Sequence, residues 1–249
     1  MEASLATDQV DPHEVERAAA ATWPASTVRS EAGWLLRHCG VLDRKRSNSA
    51  LPPAAVDDPA AAAERVERFY AGRGARPVVQ VSPLEAHREL DEFLAGRGYA
   101  AVARTDAMVA GTADVLARAV AREFAVRLDA GPHDGWFAAG AAAGRPVEPG
   151  LAAVRAPARF AIAFAGRVPV GVGLFALAGR WCGVYCMATA AGWRRRGAAG
   201  TLLRAGARWA AEAGATRMFL QVEEDNPGAA LLYERAGFAR SHGYHYRVR

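Results

Sequence analysis

The sequence predicts an α/β (α+β) protein built as two tandem halves, each a mixed, mostly antiparallel sheet flanked by helices. Three observations carry this. The ends of the two halves can be laid over each other at a separation of about 140 residues. Apolar runs in the second half, broken at Gly166-Arg167 and Gly179-Arg180, read as an antiparallel meander. A glycine-rich arginine run, Arg194 to Thr201, then joins an apolar strand-like segment to an amphipathic helix-like one.

In chain order, apolar periodicity predicts a helix over Pro12 to Ala21, a strand over Gly33 to Cys39 and a short strand over Asn48 to Leu51. A helix (Ala60 to Tyr70), a strand (Pro77 to Val81), a helix (Leu84 to Leu94) and an extended stretch (Tyr99 to Val109) complete the first half. The second half opens on a strand (Phe124 to Leu128) and a helix (His133 to Ala143), followed by a loop rich in Pro and Gly. The meander is Arg159 to Ala165, Val168 to Leu177 and Trp181 to Thr189. A helix (Ala199 to Ala213), a strand (Met218 to Glu223), a helix (Pro227 to Ala236) and a strand (Gly243 to Val248) close the chain.

The echo between the halves is specific in places. Phe69-Tyr70-Ala71-Gly72-Arg73-Gly74 followed by Val79-Gln80-Val81 matches Trp209 to Gly214 followed by Leu220-Gln221-Val222. Phe93 to Tyr99 matches Leu232 to Phe238 in the same way. The first copy has Pro52-Pro53 and Asp57-Asp58-Pro59 where the second has its arginine run, and Leu94 where the second has Tyr233. Duplication with loss of chemistry in the first copy divides the chain into residues 1–110, a linker at 111–122, and residues 123–249.

Composition narrows the function. The chain has 249 residues, 51% of them hydrophobic and 23% charged, which fits a soluble globular protein. No apolar run reaches the roughly 18 residues that span a bilayer, and the polar start is unlike a secretory signal. Cys39, Cys182 and Cys186 form no disulfide framework, so a reducing cytoplasm is expected. Cys182 and Cys186 should alternate onto one strand face as small apolar residues rather than metal ligands. The net charge of +5 comes with a single lysine, Lys45, and with no dense basic helix carrying aromatics. That favours an anionic ligand over nucleic acid.

Small residues at a strand-to-helix junction, next to arginines, suit a diphosphate. Gly192 to Gly197 has the glycine spacing of an NTPase loop, but Ala198 stands where the phosphate-reaching lysine belongs. A dinucleotide fold needs its glycines after the first strand of a βαβ unit, and Gly171 and Gly173 lie inside a meander strand.

Arg194-x-x-Gly197-x-Ala199 resembles the Arg/Gln-x-x-Gly-x-Gly/Ala signature of the GCN5-related N-acetyltransferases. The resemblance runs on through Leu220-Gln221-Val222, Asn226-x-x-Ala229, Leu232-Tyr233 and Gly237-Phe238, and covers about Phe124 to Arg249. The first half is similar to the degenerate N-terminal copy of some bacterial two-domain members. The resemblance implies two tandem acetyltransferase-like domains, acetyl-CoA as co-substrate, no metal, and an amine-bearing acceptor. Backbone N–H groups along Arg194, Arg195, Arg196, Gly197, Ala198, Ala199, Gly200 and Thr201 would hold the pyrophosphate. Met187, Ala188 and Thr189, on a splayed strand, would bond the pantetheine, with Asn226 a further contact. Tyr233 would protonate the leaving thiolate.

Asn226-Pro227 has an independent logic, since Asn is a favoured N-cap and Pro a favoured first helical residue. Acyl transfer also needs a neutral amine. A lysine-like amine is neutral about once in 2,500 at pH 7, a cost of about 4.6 kcal/mol, so a base is needed. The family often places a glutamate where this chain has Gly183, so Glu223 is the candidate base, with Glu224 or a water chain behind it. The missing glutamate leaves a catalytically silent acyl-CoA-binding or interaction module as the alternative. His242 and His245 fall on opposite faces of the last strand, so one of them is a candidate for the acceptor pocket, and Trp136 is another neighbour of it.

Overall fold

The computed structural model describes residues 10–120, 122–144 and 149–249. Three of its helices start in the same way, with a short polar side chain accepting an early N–H and proline in the next position. Asp11 accepts from His13 at the head of α1 (Pro12–Thr22), and Asp58 accepts from Ala61 at the head of α2 (Pro59–Ala71). Asn226 accepts from Ala229 at 3.2 Å at the head of α7 (Pro227–Arg235). The predicted cap at Asn226 is therefore present.

The first half also contains β1 (Thr27–Glu31), β2 (Trp34–His38), β3 (Ala50–Leu51), β4 (Val78–Val81), α3 (Arg88–Gly96) and β5 (Ala100–Gly111). Next comes α4 (Thr112–Arg118), then β6 (Ala125–Asp129), α5 (Asp134–Ala142), β7 (Ala158–Ala165), β8 (Val168–Ala178) and β9 (Trp181–Thr189). The chain finishes with α6 (Ala198–Glu212), β10 (Arg217–Glu223), α7 and β11 (Ala239–Val248). β1 is an exposed polar edge strand that apolar alternation does not announce. Residues 111–122, expected as a linker, contain α4, whose Leu116 carbonyl accepts from Arg204 of α6 at 2.6 Å.

All eleven strands form one sheet in the order β1-β2-β3-β4-β11-β5-β10-β9-β8-β7-β6. The two sheets expected for two halves are thus merged. Pairing β1 with β7, β2 with β8, β3 with β9, β4 with β10 and β5 with β11 maps the order onto itself reversed, leaving β6 over. Strand directions obey the same exchange. β3 and β4 run parallel, as do β9 and β10, while β4–β11, β10–β5 and the central β11–β5 pairs are antiparallel. Each half therefore lends its last strand to the other. In the second half, α6, α7 and α4 pack on one face of the sheet, and α1 and α5 pack on the opposite face.

One expectation on β9 is overturned. Leu174 pairs with Tyr185, but Val172 pairs with Ala188, so Cys186 and Met187 together face Gly173. This bulge puts Cys186 at φ 53° and reverses its side. Cys182 stays in the core under α6, where burial pushes its thiol up to about 12, while Cys186 turns to the α1 face.

Candidate active site

β9 and β10 pair only from Trp181/Arg217 to Val184/Leu220. Beyond that register they part, and β9 past the bulge keeps a partner only on its β8 side. A cleft of about 370 Å³ opens between them, and Met187, Glu223, Asn226 and Tyr233 all reach it. Four residues chosen from the sequence thus meet in one place. Ala188 and Thr189 continue along β9, paired to Val172 and Gly171.

The arginine run lies beside this opening. Gly197 caps α6 at φ 96°, a conformation that side chains disfavour. A Cβ at Gly197 would also run into the Arg122 side chain. The first bond of α6 is from Thr201 N–H to the Gly197 carbonyl at 2.9 Å. The N–H groups of Ala198, Ala199 and Gly200 therefore have no partner within the helix and give its start a partial positive charge. The three arginines divide their tasks. Arg194 donates to the Thr189 carbonyl at 3.3 Å and ties the loop to β9, Arg195 turns the chain at φ 59°, and Arg196 lies 5.2 Å over the Trp193 ring. Thr201 is occupied: its hydroxyl donates to the Gly197 carbonyl and accepts from the Arg122 N–H, each at 3.0 Å. An open strand edge, a cleft and a helix start meeting at one corner fit a ligand with amides, a thiol arm and a diphosphate.

Tyr233 sits on the last turn of α7, largely buried, with its ring 6.0 Å from Phe238 in an edge-on contact. Glu223 ends β10 on the opposite side of the opening, exposed and directly across from Thr105 of β5. Gly183 has no room for the family's glutamate. A Cβ there would stand 2.6 Å from the Tyr185 ring and 2.8 Å from that of Phe219. The Tyr185 hydroxyl is 2.6 Å from Thr22 Oγ1, and burial raises its pKa, so it stays protonated and cannot replace a carboxylate base.

The other proposed neighbours of the site lie elsewhere. His242 Nε2 is 2.9 Å from buried Glu16, and His245 Nε2 is 2.6 Å from Asp91. Neither lines the cleft, because α1 and α3 each present a carboxylate to β11. Trp136 is wholly buried and donates to the Ala161 and Gly173 carbonyls, so it belongs to the core.

The first half supplies walls that local sequence patterns do not mark. β5 contributes Ala103 and Thr105, and the segment Leu42 to Arg46 forms a roof with Trp23. Tyr244 and Tyr246 enter from β11. Strand exchange brings β5 and β11 to the site, and a short loop such as Leu42 to Arg46 has no periodicity to reveal it. Among the described residues, no group of His, Cys, Asp and Glu could hold a metal, and no helix is long and apolar enough to cross a membrane.

Comparison with known proteins bears on the family and the fold. Residues 10–247 match the family model described as "Probable histone acetyltransferase Rv0428c C-terminal". A GCN5-related N-acetyltransferase from Kribbella flavida superposes with a TM-score of 0.72 at 18% identity, over 95% of each chain. A tandem GNAT protein from the clavulanic acid biosynthesis pathway superposes at 0.54 and 12% identity, over 86% of this chain and 73% of its own. The uncharacterized N-acetyltransferase YobR of Bacillus subtilis (strain 168) is 41% identical over 56 residues. That match spans 22% of this chain and 23% of the relative's length.

Proposed function

Since the chain belongs to the Rv0428c C-terminal acetyltransferase family and has the GNAT fold, we propose that it moves an acetyl group from acetyl-CoA to a primary amine. Transfer is direct, with both substrates bound together. The observation that carries this reading is the parting of β9 and β10 after Val184 and Leu220, beside a helix start whose first N–H groups have no partner within the helix. Residues 123–249 hold the cofactor, residues 1–110 are the silent copy, and 111–122 join them.

In this reading, bound acetyl-CoA supplies the activated acetyl group. Arg194 to Thr201 hold the pyrophosphate through the backbone, and Met187 to Thr189 line the pantetheine arm. Asn226, already capping α7, borders the same path. As the C–N bond forms and the C–S bond breaks, the amine loses a proton to Glu223, directly or through water. The Tyr233 hydroxyl gives a proton to the departing sulfur. The position of Glu223 at the end of β10, lining the same cleft as the roof, supports this role.

The test is CoA release with a panel of amines. Turnover is expected, and Tyr233→Phe should lower kcat about 10²-fold, the usual contribution of a positioned acid. Unchanged turnover in Tyr233→Phe, with chemistry shown to be rate-limiting, sinks the acid assignment. Acetyl-CoA binding with no turnover for any amine supports the silent module instead. Glu223→Gln should cut kcat/KM by about 10²-fold at neutral pH and less at high pH, where the amine is already neutral.

A further inference from the structure

Arg46, on the roof, packs among aromatic rings on the α1 side of the cleft. Its guanidinium carbon lies 4.7 Å from the Trp23 ring centre and 5.8 Å from that of Tyr185. Tyr244, Tyr246 and Cys186 line the same cleft as Arg46. Among the described residues it forms no ion pair with a carboxylate, although Asp43 and Glu223 lie on the same cleft wall. Four other arginines, Arg97, Arg180, Arg240 and Arg247, each hold a carboxylate at 3.1 Å or less. A guanidinium held by ring faces keeps its planar edge of donors available to a ligand.

The position separates Arg46 from the pyrophosphate. Tyr185 and Trp23 belong to the core on the α1 face, whereas α6 and Tyr233 belong to the core on the other face. The sheet lies between Arg46 and the α6 N-terminus, so the ligand that meets Arg46 is the one entering opposite the cofactor. Arg44 and Lys45 lie along the same roof.

We propose that the acceptor is an amine carrying a carboxylate, which Arg46 grips while the amine points to Glu223. The proposal rests on the acetyltransferase reading and names its substrate class. A carboxylate takes two parallel N–H donors from one guanidinium, and the surrounding rings shield the pair from water. A strongly cationic peptide, by contrast, brings like charge against Lys45 and Arg46.

The test pairs ω-amino acids, from β-alanine to 6-aminohexanoate, with alkylamines of the same length, and adds a lysine-rich peptide. Wild type is expected to favour the amino acid of at least one pair by roughly tenfold or more in kcat/KM. Arg46→Gln should collapse that ratio toward one through KM, and Arg46→Lys should restore part of it. Equal use of both members of every pair, preference for the peptide, or an equal loss for both members in Arg46→Gln overturns the proposal. Calorimetric titration with the same amino acids, with and without CoA, gives a readout that needs no turnover. Saturable binding weakened by Arg46→Gln supports the anion site even where no amine is acetylated, in which case the acetyltransferase reading alone fails. No saturable binding together with no preference removes the anion site.

Discussion

Glu16 shows what one buried charge does in this fold. It sits on α1 with its carboxylate enclosed, accepting from His242 at 2.9 Å, Ser82 at 2.9 Å and Gln80 at 2.7 Å. Burial by itself raises the carboxyl, but the bonds from His242 and Ser82 outweigh it and hold it below the ordinary 4.5. The sign follows directly. A depressed carboxyl stabilises the fold above its unfolded value, and that contribution drains away as pH falls through the native one. Glu16→Ala removes the acceptor and leaves three buried donors unpaired. It is expected to lower unfolding stability by about 3–5 kcal/mol near pH 7, measured by urea denaturation, with a smaller difference below about pH 4. None of this is legible in the sequence, because Glu16 and His242 are 226 positions apart and neither sits in a motif. Tyr233 and Asn226 are legible for the opposite reason: their spacing is set by one short helix, and a cap and a helical turn are local facts.

At the scale of elements, the meander, both Gly-Arg turns and α6 follow from patterns of period 2 and 3.6, and they stand where those patterns put them. β1 and α4 do not, since an exposed polar edge and a seven-residue helix carry little apolar signal. The bulge in β9 is the instructive miss. Period-2 reasoning holds through Tyr185 and fails at Cys186, where an extra residue turns the strand's far end toward the cleft. Packing between elements is tight enough to test. Gly206 brings α6 against the Phe175 ring of β8, and a Cβ there would overlap that ring. Gly206→Ala gains helix propensity of about 1 kcal/mol but overpacks a fully buried aromatic, for about 1–3 kcal/mol. Phe175 has no exposed surface to retreat into, so net destabilisation is expected, read as a lowered Tm. A Tm equal to or above that of wild type indicates that α6 can slide on β8.

For the molecule as a whole, duplication was legible in the sequence but exchange was not, because strand order leaves no trace in a single chain's local pattern. The consequence is a prediction about folding units. β5 lies between β10 and β11, and β11 lies between β4 and β5. A fragment of residues 123–249 retains β10 and β11 but lacks the strand that pairs with both. Each then shows a row of unpaired N–H and C=O groups toward a gap one strand wide, the arrangement most prone to pairing with other chains. Further ties are lost as well. Asp91 of α3 holds Arg247 at 2.7 Å and His245 at 2.6 Å, and Glu67 of α2 holds Arg249 at 2.7 Å. The Glu67 carboxyl is drawn down to about 2 by Arg97, with Tyr99 and Arg249 adding to the effect against burial, so this tie persists across the neutral range. The isolated fragment is therefore expected to be insoluble or to associate, seen by light scattering after gel filtration, and to show no cooperative melting as a monomer. Supplying residues 10–118 as a separate chain returns β5 and α4, and should recover a soluble one-to-one complex. A fragment that melts cooperatively as a monomer without that partner would mean that β10 and β11 close on each other directly, and that the exchange is dispensable.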